Sequence, residues 1–235
     1  MLSRRLFCGC LPLAAASFAA TNVYAQSSAC DVYDRGRQQS VSPDAAIELL
    51  KAGNERFVAN KTINCDLLAQ IKATATAQAP FAAIVGCMDS RVPPELVFDQ
   101  RIGDIFCARI AGNFVNTDII GSLEYATKVA GARVIVVLGH SDCGAVKGTI
   151  DNVQLGNLTA TLANIRPAVD AVTSDGERNS KNKHFVQAVA EKNAELAAQL
   201  LMSNSPIMKE MVEAGELRIA RAMHDVATGR VVFSG

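Results

Sequence analysis

The stretch RVIVVLGHSDCG, residues 133–144, decides the fold. From Arg133 to Leu138 it is a short apolar run without polar alternation, closed by Gly139. A run of this kind reads as a strand covered on both faces, as in a parallel sheet. Two further runs precede it: Phe81 to Val85, closed by Gly86, and Ile105 to Ile110, closed by Ala111-Gly112-Asn113. Between the second and third, Thr117 to Ala130 sets Ile119, Leu123, Ala126 and Ala130 on one helical face, and Gly131 ends it. Strand, helix and strand in that order predict a right-handed βαβ unit.

Working outward, Ser42-Pro43 opens a helix, with Ser as N-cap and Pro at the first position, and Ala46, Leu49, Leu50 and Phe57 keep helical spacing. A short helix is expected from Leu67. Beyond the third strand the chain turns helical from about Cys143. Long helices are expected at Asn157–Val172 and Phe185–Met202, and another at Ile207–Ala214, with a polar loop from Thr173 to Lys183. Leu217 to Met223 reads as a strand, Asp225 to Gly229 as a turn, and Arg230 to Phe233 as a returning edge strand. The expected fold class is α/β: a mostly parallel central sheet flanked by helices, with a C-terminal edge hairpin and an N-terminal helical arm. Residues 26–235 form one domain, with 26–41 a flexible arm.

The chain has 235 residues, 23 basic and 23 acidic groups, and 49% hydrophobic residues. That apolar share excludes disorder as the main theme. The absence of a basic excess argues against a nucleic-acid partner. Residues 1–25 carry Arg4-Arg5, an apolar stretch from Leu6 to Ala20, and small residues around Val23-Tyr24-Ala25. This is the layout of a secretory signal peptide cleaved near Ala25, too short for a spanning helix. Ser3-Arg4-Arg5-Leu6-Phe7 also resembles a twin-arginine export signal. The expected location is the periplasm or another exported site, with no stable membrane anchor once the signal is removed.

Cleavage would remove Cys8 and Cys10 and leave Cys30, Cys65, Cys87, Cys107 and Cys143, an odd number. In an oxidising compartment thiols need a disulfide, a metal or burial. Cys107, in an apolar strand, is most simply packing. Cys30 and Cys65 are candidates for a disulfide that ties the arm down.

Cys87 follows Gly86 at the carboxyl end of the first strand, and His140 follows Gly139 at the carboxyl end of the third. In open α/β sheets the functional crevice lies outside those ends. Cys143 stands three residues on, at a loop-to-helix junction where the helix N-terminus stabilises a thiolate. Two thiolates and one imidazole are good zinc ligands, and three protein ligands leave a fourth position for water. Taken singly each has a plainer reading, since a lone Cys is usually packing and a lone His a satisfied loop residue. Asp89 and Arg91, two apart in the loop after Cys87, have the spacing for a forked ion pair. On an open surface such a pair is worth little. Beside a metal-bound water it makes an oriented acceptor.

CMDSRV at 87–92 together with HSDCG at 140–144 resembles the β-class carbonic anhydrases, over roughly residues 43–235. Gln78-Ala79-Pro80, Phe106, the run Arg109 to Asn113, Glu124-Tyr125-Ala126, Asp225 and Thr228-Gly229 fall at similar offsets, whereas His224 stands where a Tyr is common. The resemblance implies zinc on Cys87, His140 and Cys143, and a catalytic dyad of Asp89 and Arg91. It implies a carbon dioxide pocket lined by Gln78, Phe106, Tyr125 and Gly144, the first three from a neighbouring subunit, in a homodimer or homotetramer. Phe106 and Tyr125 also suit a core, Gln78 a turn, and Gly144 close packing. The implied activity is reversible hydration of carbon dioxide to bicarbonate and a proton, by hydroxide that zinc generates from bound water. Hydrolysis of carbonyl sulfide or carbon disulfide on the same site is the alternative. Two thiolates cancel the zinc charge formally, so an alkaline-leaning activity profile is expected. This chain has no Trp, which a regulatory bicarbonate site of some relatives uses, so an open site with Arg91 holding Asp89 is expected. Neither His184 nor His224 is assigned as a proton shuttle.

Overall fold

The computed structural model describes residues 29–234. The expected signal peptide lies outside them, and no described helix is long and apolar enough to cross a membrane. Five strands form one sheet: β1 (Ala82–Gly86), β2 (Ile105–Arg109), β3 (Val134–His140), β4 (Arg218–His224) and β5 (Val231–Ser234), in the order β2-β1-β3-β4-β5. The first four are parallel and β5 returns antiparallel. The sheet is therefore the mostly parallel one that the apolar runs predict, with the C-terminal hairpin at one edge.

Every residue of β1 and β3 is buried. Alternation sends their side chains to two cores. Ala82, Ile84, Val134, Val136 and Leu138 pack under Ala46, Ile47 and Leu50 of α2 (Pro43–Val58). Ala83, Val85, Ile135 and Val137 pack against Leu123 of α5 (Thr117–Glu124) and Ala194, Ala197 and Leu201 of α9 (Lys183–Asn204). The second strand differs from the other two, being only half-buried, because it is the sheet's edge in a single chain.

Local chemistry explains most boundaries. Ser42 caps α2, its side chain accepting from the Ala45 N–H, with Pro43 at the first turn. The expected short helix is present as α3 (Leu67–Thr74), capped by Asp66. Three results differ from expectation. The helix expected at Asn157–Val172 is two, α7 (Gly156–Ala163) and α8 (Arg166–Ala171). Pro167 is the cause, because its ring displaces the carbonyl four residues earlier and it has no N–H to donate. The helix expected to run to Ala130 ends as a π turn over Tyr125–Val129. Residues 26–41, read as a flexible arm, hold a packed helix, α1 (Arg35–Ser40). Tyr33 is buried against Phe81, and Gln38 is 1% exposed, donating to the carbonyls of Pro80 and Ala130 at 2.6 and 2.8 Å. Cys30 and Cys65 form a disulfide that fastens this arm to the loop before α3.

Candidate metal centre and active site

The carboxyl ends of β1 and β3 are neighbours, with Gly86 opposite Leu138. Cys87 and His140 therefore leave the sheet side by side. Cys143 is the N-cap of α6 (Gly144–Ile150), reached through a turn in which Asp142 takes a left-handed φ of 57°. The Cys87 and Cys143 sulfurs are 4.0 Å apart, and both ligand sulfurs and a His140 ring nitrogen lie within 4.8 Å of one another. All three residues are buried.

These donors fit zinc. Two sulfurs each about 2.3 Å from a tetrahedral zinc lie about 3.8 Å apart. His140 Nδ1 faces the Ser141 carbonyl at 2.9 Å, which assigns its proton there and leaves Nε2 as the ligand atom. Nε2 is buried with no hydrogen-bond partner among the described residues, a cost that a metal removes. The two thiols share one hydrogen bond in which either sulfur can be the donor. This contact with Cys143 lowers the Cys87 thiol most, with help from His140 and the Gly112 N–H and against its burial. The same hydrogen bond and burial raise Cys143. The shared hydrogen bond and the Gly112 N–H favour one thiolate at this pair, and a bound cation displaces the remaining proton.

Asp89 sits beside this group, its Oδ2 4.0 Å from His140 Nε2. Arg91 grips it as a fork: its Nε and backbone N–H reach Oδ1, each at 2.9 Å, and Nη2 reaches Oδ2 at 2.7 Å. The Arg91 side chain holds the Asp89 carboxyl far below the ordinary carboxylate range, against the opposing pull of partial burial. Asp142 faces Arg91 at 3.6 Å and also pairs with Lys147. The sulfur and imidazole donors and the forked carboxylate are thus brought together as the motifs predict, and Gly144 follows Cys143 with open space where a Cβ would stand.

The other pocket candidates do not join them within one chain. Phe106 and Tyr125 meet edge to face at 6.3 Å and line a separate cavity of about 330 Å³ with Ala83, Ala108 and Leu123. Tyr125 is 51% exposed. Gln78 is exposed and precedes β1, whereas Cys87 follows it.

Three residues at this edge received no role from sequence. Arg109, at the end of β2, donates to the carbonyls of Cys87 at 3.0 Å and Asp89 at 2.7 Å, so it holds the loop that carries both. Its position at a strand's carboxyl end was the available signal. His224 lies opposite His140 in the β3–β4 register, buried, with neither ring nitrogen partnered among the described residues. Burial, and then His140, lower its pKa. Asn193 is an amide inside the apolar stripe of α9, and its Nδ2 donates to the Gly112 carbonyl.

A parallel sheet flanked by helices, with a Cys₂His group at its carboxyl edge, defines an α/β zinc enzyme with three protein ligands. The chain belongs to the carbonic anhydrase family: the family pattern described as "Carbonic anhydrase" matches residues 82–231. Carbonic anhydrase 2 of Mycobacterium tuberculosis is 34% identical over 198 residues, spanning 83% of this chain and 94% of its own length. A carbonic anhydrase of Mycolicibacterium smegmatis is 37% identical over 193 residues, spanning 81% and 92%. Among solved structures, the β-carbonic anhydrase CcaA superposes with a TM-score of 0.64 at 24% identity, over 80% of this chain and 85% of its own. Tetrameric β-carbonic anhydrases from Sordaria macrospora superpose at 0.60 with 25% identity, over 92% of this chain and 98% of theirs. The fold is that of the β class, and its cofactor is zinc.

Proposed function

We propose that this chain catalyses the reversible hydration of carbon dioxide to bicarbonate and a proton. The observation that carries it is the forked Asp89 carboxylate beside the Cys87, His140 and Cys143 donors. Bound zinc supplies Lewis acidity, which makes water a nucleophile near neutral pH. The chain supplies orientation. Ionised Asp89 can only accept hydrogen bonds, so it takes the O–H of the attacking water and turns a lone pair toward carbon dioxide. Arg91 occupies one side of both carboxylate oxygens, which fixes the carboxyl plane and leaves Oδ2 facing the donors. Because Arg91 keeps Asp89 so acidic, Asp89 aims the nucleophile and does not store its proton.

Gln78, Phe106 and Tyr125 support a homo-oligomeric site. The five residues of β1 span about 17 Å at about 3.3 Å each, so Gln78 and Cys87 sit at opposite ends of a strand. The edge strand β2, with Tyr125 and Val129 exposed beside it, is the face for a second copy. Joined there, a partner brings these three residues to the pocket beside Gly144. We also propose export from the cytoplasm, supported by the Cys30–Cys65 disulfide, since such bonds persist in oxidising compartments.

Stopped-flow carbon dioxide hydration on the zinc-loaded protein tests the reading. Asp89→Ala is expected to keep the metal and lose on the order of 10²-fold in rate, the scale of a misaimed nucleophile. Cys87→Ser is expected to lose metal and rate together. Full activity in Asp89→Ala would overturn the assignment.

A further inference from the structure

We propose that Asn193 is a positioning residue for the metal centre: through Gly112 it keeps a backbone N–H on the Cys87 sulfur. It rests on the metal-centre reading above. Asn193 lies in the middle of α9 and is 3% exposed, on a stripe with Val186, Val189, Ala190, Ala194 and Ala197. An amide there is a poor helix former and costs desolvation unless it is bonded. Its Nδ2 donates to the Gly112 carbonyl at 2.7 Å, across 81 residues. The Gly112 N–H in turn donates to Cys87 Sγ at 3.3 Å.

Gly112 has no side chain with which to fix this turn. Its φ is +85°, which strains any residue that has a Cβ, and a Cβ there would fall 2.3 Å from Ile165 Cδ1 and make that side chain move. Asn113 follows with a φ of 42°, giving two left-handed residues in succession. The turn is closed by the Asn113 N–H on the Ile110 carbonyl at 3.1 Å, and Asn193 anchors its Gly112 carbonyl from the helix behind it. An N–H on a metal thiolate withdraws charge from the sulfur and restricts its direction. Partners of this outer kind typically change metal affinity 10–100-fold when removed.

The test uses the full exported protein loaded with cobalt(II) in place of zinc, read by its sulfur-to-cobalt charge-transfer absorption and by cobalt transfer to a chelator. Asn193→Asp keeps the shape and loses the donor once its carboxyl is ionised, and Asn193→Leu loses it at every pH. Loss of the donor is expected to move the band to longer wavelength, because a sulfur relieved of its hydrogen bond gives up charge more easily, and to release cobalt roughly tenfold faster. Asn193→Leu carries the same expectation if the acid does not fold. Gln38→Ala, which removes a buried donor far from the metal, is the control and is expected to lower Tm without moving the band. A lowered Tm with an unmoved band and unchanged release in both Asn193 variants would overturn the proposal. Absence of the band in the unsubstituted protein would instead overturn the metal-centre reading and this one with it.

Discussion

At the scale of single residues, the functional geometry depends on ionisation states that neighbours impose. Asp89 is the plainest case, held acidic first by the Arg91 side chain. A depressed carboxyl keeps its charge as pH falls through the ordinary range near 3.9, and loses its contribution only as pH falls through its own lower value. Arg91→Ala is therefore expected to return the Asp89 carboxyl toward the ordinary carboxylate range, read by NMR titration of that carboxyl. An unmoved titration in that variant would show that Arg91 does not set the charge. The donors Cys87, His140 and Cys143 were legible in sequence because each follows a strand end or opens a helix, where one-dimensional order maps directly onto one edge of a sheet. Asn193 was not legible. Its partner lies 81 residues away, and nothing local distinguishes a structural amide from a misplaced polar residue.

At the scale of elements, the short apolar runs located β1, β2 and β3 to within two residues, because apolar side chains without polar alternation fit little else than a covered strand. Helices were harder. Pro167 divides one expected helix, since the apolar spacing continues across it while the backbone cannot. The arm before α2 was read as mobile because it is polar. Its order comes from Gln38, which satisfies two carbonyls in loops far along the chain. Gln38→Ala leaves the Pro80 carbonyl without a donor, while the Ala130 carbonyl keeps Arg35 Nη1 at 2.7 Å, and is expected to cost about 1–3 kcal/mol for the one unsatisfied group. For a chain of this size that lowers Tm by roughly 2–4 °C per kcal/mol. Calorimetry on the variant checks it, and a Tm within a degree of the parent would count against a structural arm.

At the scale of the whole molecule, the Cys30–Cys65 bridge closes a 35-residue separation. Loop-closure entropy alone gives such a bridge about 3–4 kcal/mol, and strain or residual structure reduces that. Thiol titration of the denatured, unreduced and metal-free mature chain is expected to find three free groups, Cys87, Cys107 and Cys143. Five would show that the bridge is absent. Reduction before heating is expected to lower Tm measurably. Replacing Tyr125 with Arg, on the exposed side of the β2 edge, is expected to give monomers by light scattering and to remove most activity while zinc stays bound. Among the described residues β2 has no strand on its outer side, and such borders recruit whatever strand they meet. If a second copy completes the pocket as proposed, scarcity becomes a hazard in its own right: a molecule alone would be idle until it met a sibling, so specific activity should fall as the protein is diluted.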